Sequence, residues 1–213
     1  MAKIITVAQQ KGGSGKSTIA AHIAIGLKQR NNRVALIDID PQASLSMWFC
    51  AREELFGKNY TGINFSSCSG IRINNEISRL KLLNDYVIID CPPHTDTEAK
   101  AAIRAADIVL IPMQASPTDL WATGKTIDFS LKERKNTKII LNRYSPNTKL
   151  AKFLKMPDEL ILKSYLGNRI GFASAMSYGK TVLETEPSST ASKEVKELIE
   201  EITNSLEPSV NNV

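Results

Sequence analysis

The stretch "AQQKGGSGKST", residues 8–18, decides how the rest of the chain is read. A phosphate-binding loop follows the pattern G-x-x-x-x-G-K-[ST], and Gly15, Lys16 and Ser17 supply its second half. Position 10, where the first glycine belongs, is Gln10, and a second lysine, Lys11, follows it. The flanks suit a phosphate loop. "KIITVA" (3–8) is strand-like, and residues 16–30 place Ile19, Ile23, Ala24 and Leu27 at helical spacing. Gly12, Gly13 and Gly15 can adopt positive φ and let backbone N–H groups approach phosphate oxygens. The helix opening near Lys16 adds its positive dipole end. Lys16 is placed to reach the β/γ-phosphates, and the Ser17 hydroxyl to ligate Mg²⁺.

Working outward, apolar runs alternate with helical patterns. Strand candidates are 3–8, 33–40 ("RVALIDID"), 85–90 ("DYVIID"), 107–113 ("DIVLIPM") and 137–143 ("TKIILNR"). They are nearly continuous in apolar residues, as strands buried on both faces should be. Segments 16–30, 43–56, 70–83, 97–106 and 117–134 read as helices, and 60–67 as a further strand or a loop. Residues 148–164 read as helical with a break at Pro157, 170–179 as a short helix, and 188–206 as a terminal helix with Val195, Leu198, Ile199 and Ile202 on one stripe. The expectation is an α/β fold: a doubly wound, mostly parallel sheet flanked by helices, as one domain over 1–206 with a frayed tail at 207–213. The polar residues of interest, Lys11 to Thr18, Asp38, Asp40, Asp90, Asn142 and Arg143, all follow strand ends, where such folds bind ligands.

Bulk properties set the limits. A chain of 213 residues with 42% hydrophobic and 23% charged residues can fill a core and keep a polar surface. Its apolar runs are far below the ~20 residues of a membrane span, and the start lacks a secretory pattern, so a cytoplasmic protein is expected. Three cysteines without metal-ligand spacing read as free thiols. Net charge is +5, but residues 125–180 carry +8 and residues 181–213 carry −5. That clustering suits a polyanion-binding face or simply solvated helices.

Residues 11–17, "KGGSGKS", match the pattern K-G-G-x-G-K-[ST] and resemble the deviant Walker A loop of the ParA/MinD ATPases. "ALIDIDPQAS" (35–44) resembles the second-strand motif of that family, and "YVIIDCPP" (86–93) its Walker B strand. The resemblance implies that Lys11 crosses an ATP-sandwich homodimer to the partner's nucleotide. It implies that Lys11, Lys16 and Asp40 are catalytic, with Asp40 positioning the attacking water. Gly12, Gly13, Ser14, Gly15, Lys16, Ser17 and Thr18 would bind ATP. Ser17, Asp38 and Asp90 would serve Mg²⁺. Asn142 and Arg143 would hold adenine, with "TVLETEPSS" (181–189) closing over it through Pro187.

Within that family, the acidic C-terminal segment disfavours membrane targeting. The start of the loop at residue 11 leaves no room for an N-terminal helix-turn-helix, so the chain looks like the small plasmid-partition (ParF-like) type. That implies a slow Mg-ATPase in a bacterial cytoplasm, associated with the nucleoid. Its ATP dimer would bind nonspecific DNA, and a centromere-binding (ParB/ParG-like) partner would stimulate hydrolysis. Candidate DNA contacts are Lys149, Lys152, Lys155, Lys163, Arg169 and Lys180. One alternative is a ParA-like ATPase that positions a protein cargo such as carboxysomes or chemoreceptor arrays. Another is a P-loop biosynthetic enzyme of the dethiobiotin synthetase or cobyrinic-acid amidation type.

Overall fold

The computed structural model describes residues 2–68, 72–93, 97–146 and 157–207. The elements are β1 (Lys3–Val7), α1 (Lys16–Gln29), β2 (Val34–Asp38), α2 (Ser44–Phe56), β3 (Asn64–Ser67), α3 (Ile73–Lys81), β4 (Tyr86–Asp90), α4 (Thr97–Ala105), β5 (Ile108–Met113), α5 (Pro117–Lys132), β6 (Asn136–Tyr144), β7 (Ile161–Gly167), α6 (Ile170–Ser177), α7 (Val182–Thr185) and α8 (Thr190–Leu206). Among the described residues the strands form one seven-stranded sheet in the order β3-β2-β4-β1-β5-β6-β7. All of its pairings are parallel. The doubly wound expectation holds.

The apolar strand sequences are explained by burial on both faces. Ile5, Val7 and Ile88 point to one core with α1, α2, α6, α7 and α8. Ile4, Val87 and Ile89 point to the other, with α3, α4 and α5. α8 supplies Val195, Leu198, Ile199, Ile202 and Leu206 to the first core. It lies so close to α1 that a Cβ on Gly26 would stand 2.1 Å from the Ile199 methyl, so the helices can approach only over a glycine.

Of the segment 60–67, expected as a strand or a loop, Asn64–Ser67 forms the edge strand β3. One segment differs from the sequence reading. The expected helix over 148–164 is not formed in its described part. A 3-10 turn, Asp158–Leu160, leads into β7, which extends the sheet beyond β6. The cause is a spacing shared by both periods. Leu162 and Leu166 face one core and Ile161 and Tyr165 the other, four residues apart in each pair, which suits a helix or a strand equally. Pairing with β6 decides the matter. The carboxylate of Glu201 on α8 then accepts the N–H groups of Lys163 and Ser164, 2.8 Å each, and the Ser164 hydroxyl, 2.6 Å, which covers part of the new edge.

Candidate functional site

The parallel sheet brings the ends of β1, β2 and β4 to one edge. Asp38 pairs in register with Asp90, and Val7, four residues before Lys11, does so too. The loop between β1 and α1 turns through Gly13 at φ 74° and Gly15 at φ 96°, values that favour glycine. Gly15 is the N-cap of α1. It has no side chain to cap the helix, and the first turn contains no acidic residue. The free N–H groups and the dipole are therefore open to an anion, with Lys16 buried at 6% exposure beside them.

The loop is tied down from outside. The buried Gln9 amide donates to the Pro112 carbonyl at 3.1 Å and to the Thr123 hydroxyl at 2.8 Å. The Asn142 amide at the end of β6 donates to the Ser14 carbonyl at 2.7 Å, and its oxygen accepts the Arg143 N–H at 3.0 Å. A Cβ on Gly15 would sit 2.3 Å from the Asn142 amide nitrogen. Asn142 thus holds the phosphate loop in shape as well as standing at the expected base site.

Asp90 is fully buried at the end of β4, and neither carboxylate oxygen makes a hydrogen bond of good geometry. Burial pushes its carboxyl up to about 7. Asp38 and Asp40 add to the rise, while the Ser17 hydroxyl and Lys16 oppose it. An unpaired carboxylate in such a place calls for a cation. A hard oxygen donor beside a serine hydroxyl suits Mg²⁺, which keeps several waters and takes only one or two carboxylates from a protein. Asp38 is also buried, but both its oxygens are engaged. Oδ1 accepts the Asp40 N–H at 3.0 Å, and Oδ2 accepts the Ser46 N–H and hydroxyl at 2.8 and 2.7 Å. It fastens the start of α2 to the end of β2, a task the helix's own N-cap, Ala43, cannot perform. Asp40 is half-buried and accepts the Gln42 N–H at 2.9 Å within the turn between them.

The Lys11 ammonium pairs with Asp119, a fully buried carboxylate in the first turn of α5. Asp119 also accepts the Gln114 N–H and the Ser116 hydroxyl, each at 2.9 Å. Burial works against its charge, but the bonds from Lys11, Gln114 and Ser116 outweigh it and hold the carboxyl below the ordinary carboxylate value.

A cavity of about 260 Å³ opens beside the loop, between Gly15 and Thr18 on one side and Asn142 and Arg143 on another. Its remaining wall comes from the β7–α6 junction, including Asn168, Ile170 and Phe172. The sequence reading places a short helix at 170–179, which α6 matches, but nothing local marks its start as facing the phosphate loop. Pro187 is not part of the lining. It stands between α7 and α8, where its carbonyl accepts the Lys196 ammonium at 3.0 Å. The expected closing segment 181–189 instead forms the capping box of α7 (Thr181 with Glu184) and the N-cap of α8 (Ser189).

The expected DNA contacts are scattered. Lys149, Lys152 and Lys155 lie outside the described residues. Lys163 is exposed on β7. Lys180 lines a groove with Glu54, Leu55 and Tyr178 between α2 and α6. Arg169 does not offer a free charge to DNA: its guanidinium is held by both oxygens of Glu194 at 2.5 and 2.9 Å and fixes the start of α6 to α8. Among the described residues, no helix is long and apolar enough to cross a membrane.

Residues 5–182 match the model of the CobQ/CobB/MinD/ParA nucleotide binding domain. The chain is 30% identical to the maintenance of carboxysome distribution protein A of Halothiobacillus neapolitanus, over 93% of this chain and 95% of that protein. It is 26% identical to the chromosome-partitioning ATPase Soj of Thermus thermophilus, over 93% and 94%. Its fold superposes on a putative plasmid partition protein of Borrelia burgdorferi bound to AMPPNP with a TM-score of 0.76, at 24% identity over 96% and 99% of the two chains. With an uncapped helix N-terminus, a lysine-bearing glycine loop and a buried aspartate at the end of the neighbouring strand in the sheet, the chain belongs to the ParA/MinD family of nucleotide-binding ATPases.

Proposed function

We propose that the chain is an ATP-switched partition ATPase. ATP drives two copies together, the dimer binds DNA without sequence preference, and a centromere-binding partner stimulates slow hydrolysis. The observation that carries this reading is the placement of Lys11. In the single chain its charge is neutralised by Asp119 and not by the loop it belongs to. A lysine so held is available for exchange: a partner's triphosphate offers more negative charge than one carboxylate. ATP and dimerisation are thereby linked.

Lys16 and the N–H groups of α1 hold the subunit's own phosphates. Ser17 and Asp90 are the residues that would hold Mg²⁺, which when bound neutralises charge that develops on the phosphate oxygens. Asp38 positions the turn that carries Asp40, and Asp40 accepts a hydrogen bond from the water that attacks the γ-phosphorus. Asn142, Arg143 and the β7–α6 wall enclose the base. Lys149, Lys152, Lys155, Lys163 and Lys180 supply the DNA contacts, whose strength falls steeply with salt. The test is retention on DNA at low and high salt. Retention with ATP and magnesium should exceed that with ADP, and equal retention would end the DNA-switch reading.

A second reading keeps the same switch and changes the cargo to a protein assembly. The 30% identity over nearly the whole length of a carboxysome-distribution protein favours it. Stimulation of the ATPase by a DNA-binding partner supports the first reading, and stimulation by a cargo-bound protein that does not bind DNA supports the second.

A further inference from the structure

His22 lies on α1 one turn after Thr18 and is 1% exposed. Its Nδ1 is 2.7 Å from the Thr18 carbonyl oxygen, which can only accept, so Nδ1 carries the proton. Its Nε2 is 3.1 Å from the Val182 nitrogen and accepts that N–H. The edge of the ring meets Phe172, with centroids 5.1 Å apart and planes at 67°. Thr18 and Phe172 both line the cavity beside the phosphate loop. One imidazole thus stands behind two walls of the base pocket and joins three segments, α1, α6 and α7.

Val182 is the first residue of α7, so its N–H has no partner within the helix. The capping box serves other groups there: Glu184 accepts the Thr181 N–H at 2.9 Å. Glu184 in turn is gripped by the buried Arg52, which also donates to the Thr61 and Gly179 carbonyls. α7 is therefore fixed to α2 through Arg52 and to the phosphate-loop helix through His22. Burial pulls the imidazole down to about 4, against the Thr18 bond and the charge of Glu184, so the ring is neutral at physiological pH and both hydrogen bonds persist.

We propose that His22 is a positioning residue for nucleotide recognition: by tying α7 to the phosphate-loop helix and backing the Phe172 ring of the β7–α6 wall, it sets the shape of the pocket that distinguishes ATP from a bare triphosphate. This rests on the base-pocket assignment above. It differs from a plain core role, in which His22 would affect stability alone. The probe is the ratio of Kd for inorganic tripolyphosphate to Kd for ATP, since tripolyphosphate uses the loop and not the base pocket. His22→Gln keeps an acceptor that can reach Val182. His22→Asn keeps only a donor for Thr18, and His22→Leu keeps the volume without either bond.

The wild type should prefer ATP. His22→Gln should keep most of that preference, whereas His22→Asn and His22→Leu should lose about five- to tenfold of it with tripolyphosphate affinity changed less than about twofold. Tripolyphosphate binding also reports that each variant is folded. Equal preference in all four proteins, or equal losses of both ligands, would overturn the role of His22. A wild type with no preference for ATP over tripolyphosphate would overturn the base-pocket assignment first and the inference with it.

Discussion

Helices α5 and α8 are nearly the same length, 16 and 17 residues, and are built on opposite principles. α8 buries a stripe of Val195, Leu198, Ile199, Ile202 and Leu206, with Ser192 and Glu194 the two buried polar residues near its start. α5 buries Asp119, Thr123, Thr126 and Ser130, with Ile127 as its one buried apolar side chain, and leaves Trp121 73% exposed. Each helix buries one hydroxyl without a hydrogen-bond partner, Thr126 on α5 and Ser192 on α8, so the contrast lies in the apolar stripe. Apolar burial is worth roughly 1.5–3 kcal/mol per large side chain, whereas a neutral buried hydrogen bond nets about 1 kcal/mol and an unmade one costs 1–3. α8 is therefore a structural brace and α5 a weakly held element. Ser130 ties the end of α5 to Thr137 of β6, and the helix's other ties run to the phosphate loop, through Gln9 to Thr123 and Lys11 to Asp119. A helix that must respond when Lys11 changes partner is better held by a few polar bonds than by a full apolar seam.

The largest effect should come from the brace. Ile199→Ala removes a fully buried side chain at the α1–α8 contact and should destabilise the chain by about 2–5 kcal/mol, read from urea unfolding. A loss below about 1 kcal/mol would break the contrast with α5.

The α8 face also contains one buried polar group whose effect depends on pH. His22 has a folded-state value of about 4 against 6.5 when unfolded, so the unfolded chain binds the extra proton between them. Its contribution is complete above pH 6.5 and fades as pH falls towards 4, by about 3 kcal/mol in all. The difference in unfolding free energy between wild type and His22→Leu should shift by that amount over this window. A difference that is flat with pH would show that the imidazole is not held neutral. Titration of other groups, Asp90 among them, cancels in that difference.

The smallest stability effect should fall on α5. Thr123→Val keeps the volume and removes the bond to Gln9, and should cost about 1 kcal/mol in urea unfolding while weakening ATP binding more than Ile199→Ala does. If Ile199→Ala weakens ATP binding more, the loop is not governed from α5.

Much of this was legible in the sequence where the signals are local. "KGGSGKST" fixes a strand, a loop and a helix within a few residues, and the apolar runs of β2, β4 and β5 can only be buried on both faces. The losses come from distance and from shared periods. Ile161, Leu162, Tyr165 and Leu166 are spaced for either a helix or a strand, and only the open edge of β6 chooses. The base-pocket wall at 168–172 opens a helix the sequence does show, but its place beside the phosphate loop is set by the pairing of β7 with β6. Asp119 was visible as part of "SPTD", a helix-start signal that Ser116 fulfils by accepting the Asp119 N–H. Nothing local marks it as the partner of a lysine 108 residues away. Asp38 was read as part of the magnesium shell, and its bonds to Asp40 and Ser46 appear only once α2 is folded against β2.

The central claim is that Lys11 leaves Asp119 for the phosphates of a second copy. The measurement that tests it most directly is molar mass by light scattering for the wild type and Lys11→Ala under saturating ATP and magnesium, with Asp40→Ala included to slow hydrolysis. The account predicts that the wild type shifts towards a dimer, that Asp40→Ala accumulates as one, and that Lys11→Ala remains a monomer while still binding ATP. A Lys11→Ala chain that dimerises with ATP as fully as the wild type would contradict it.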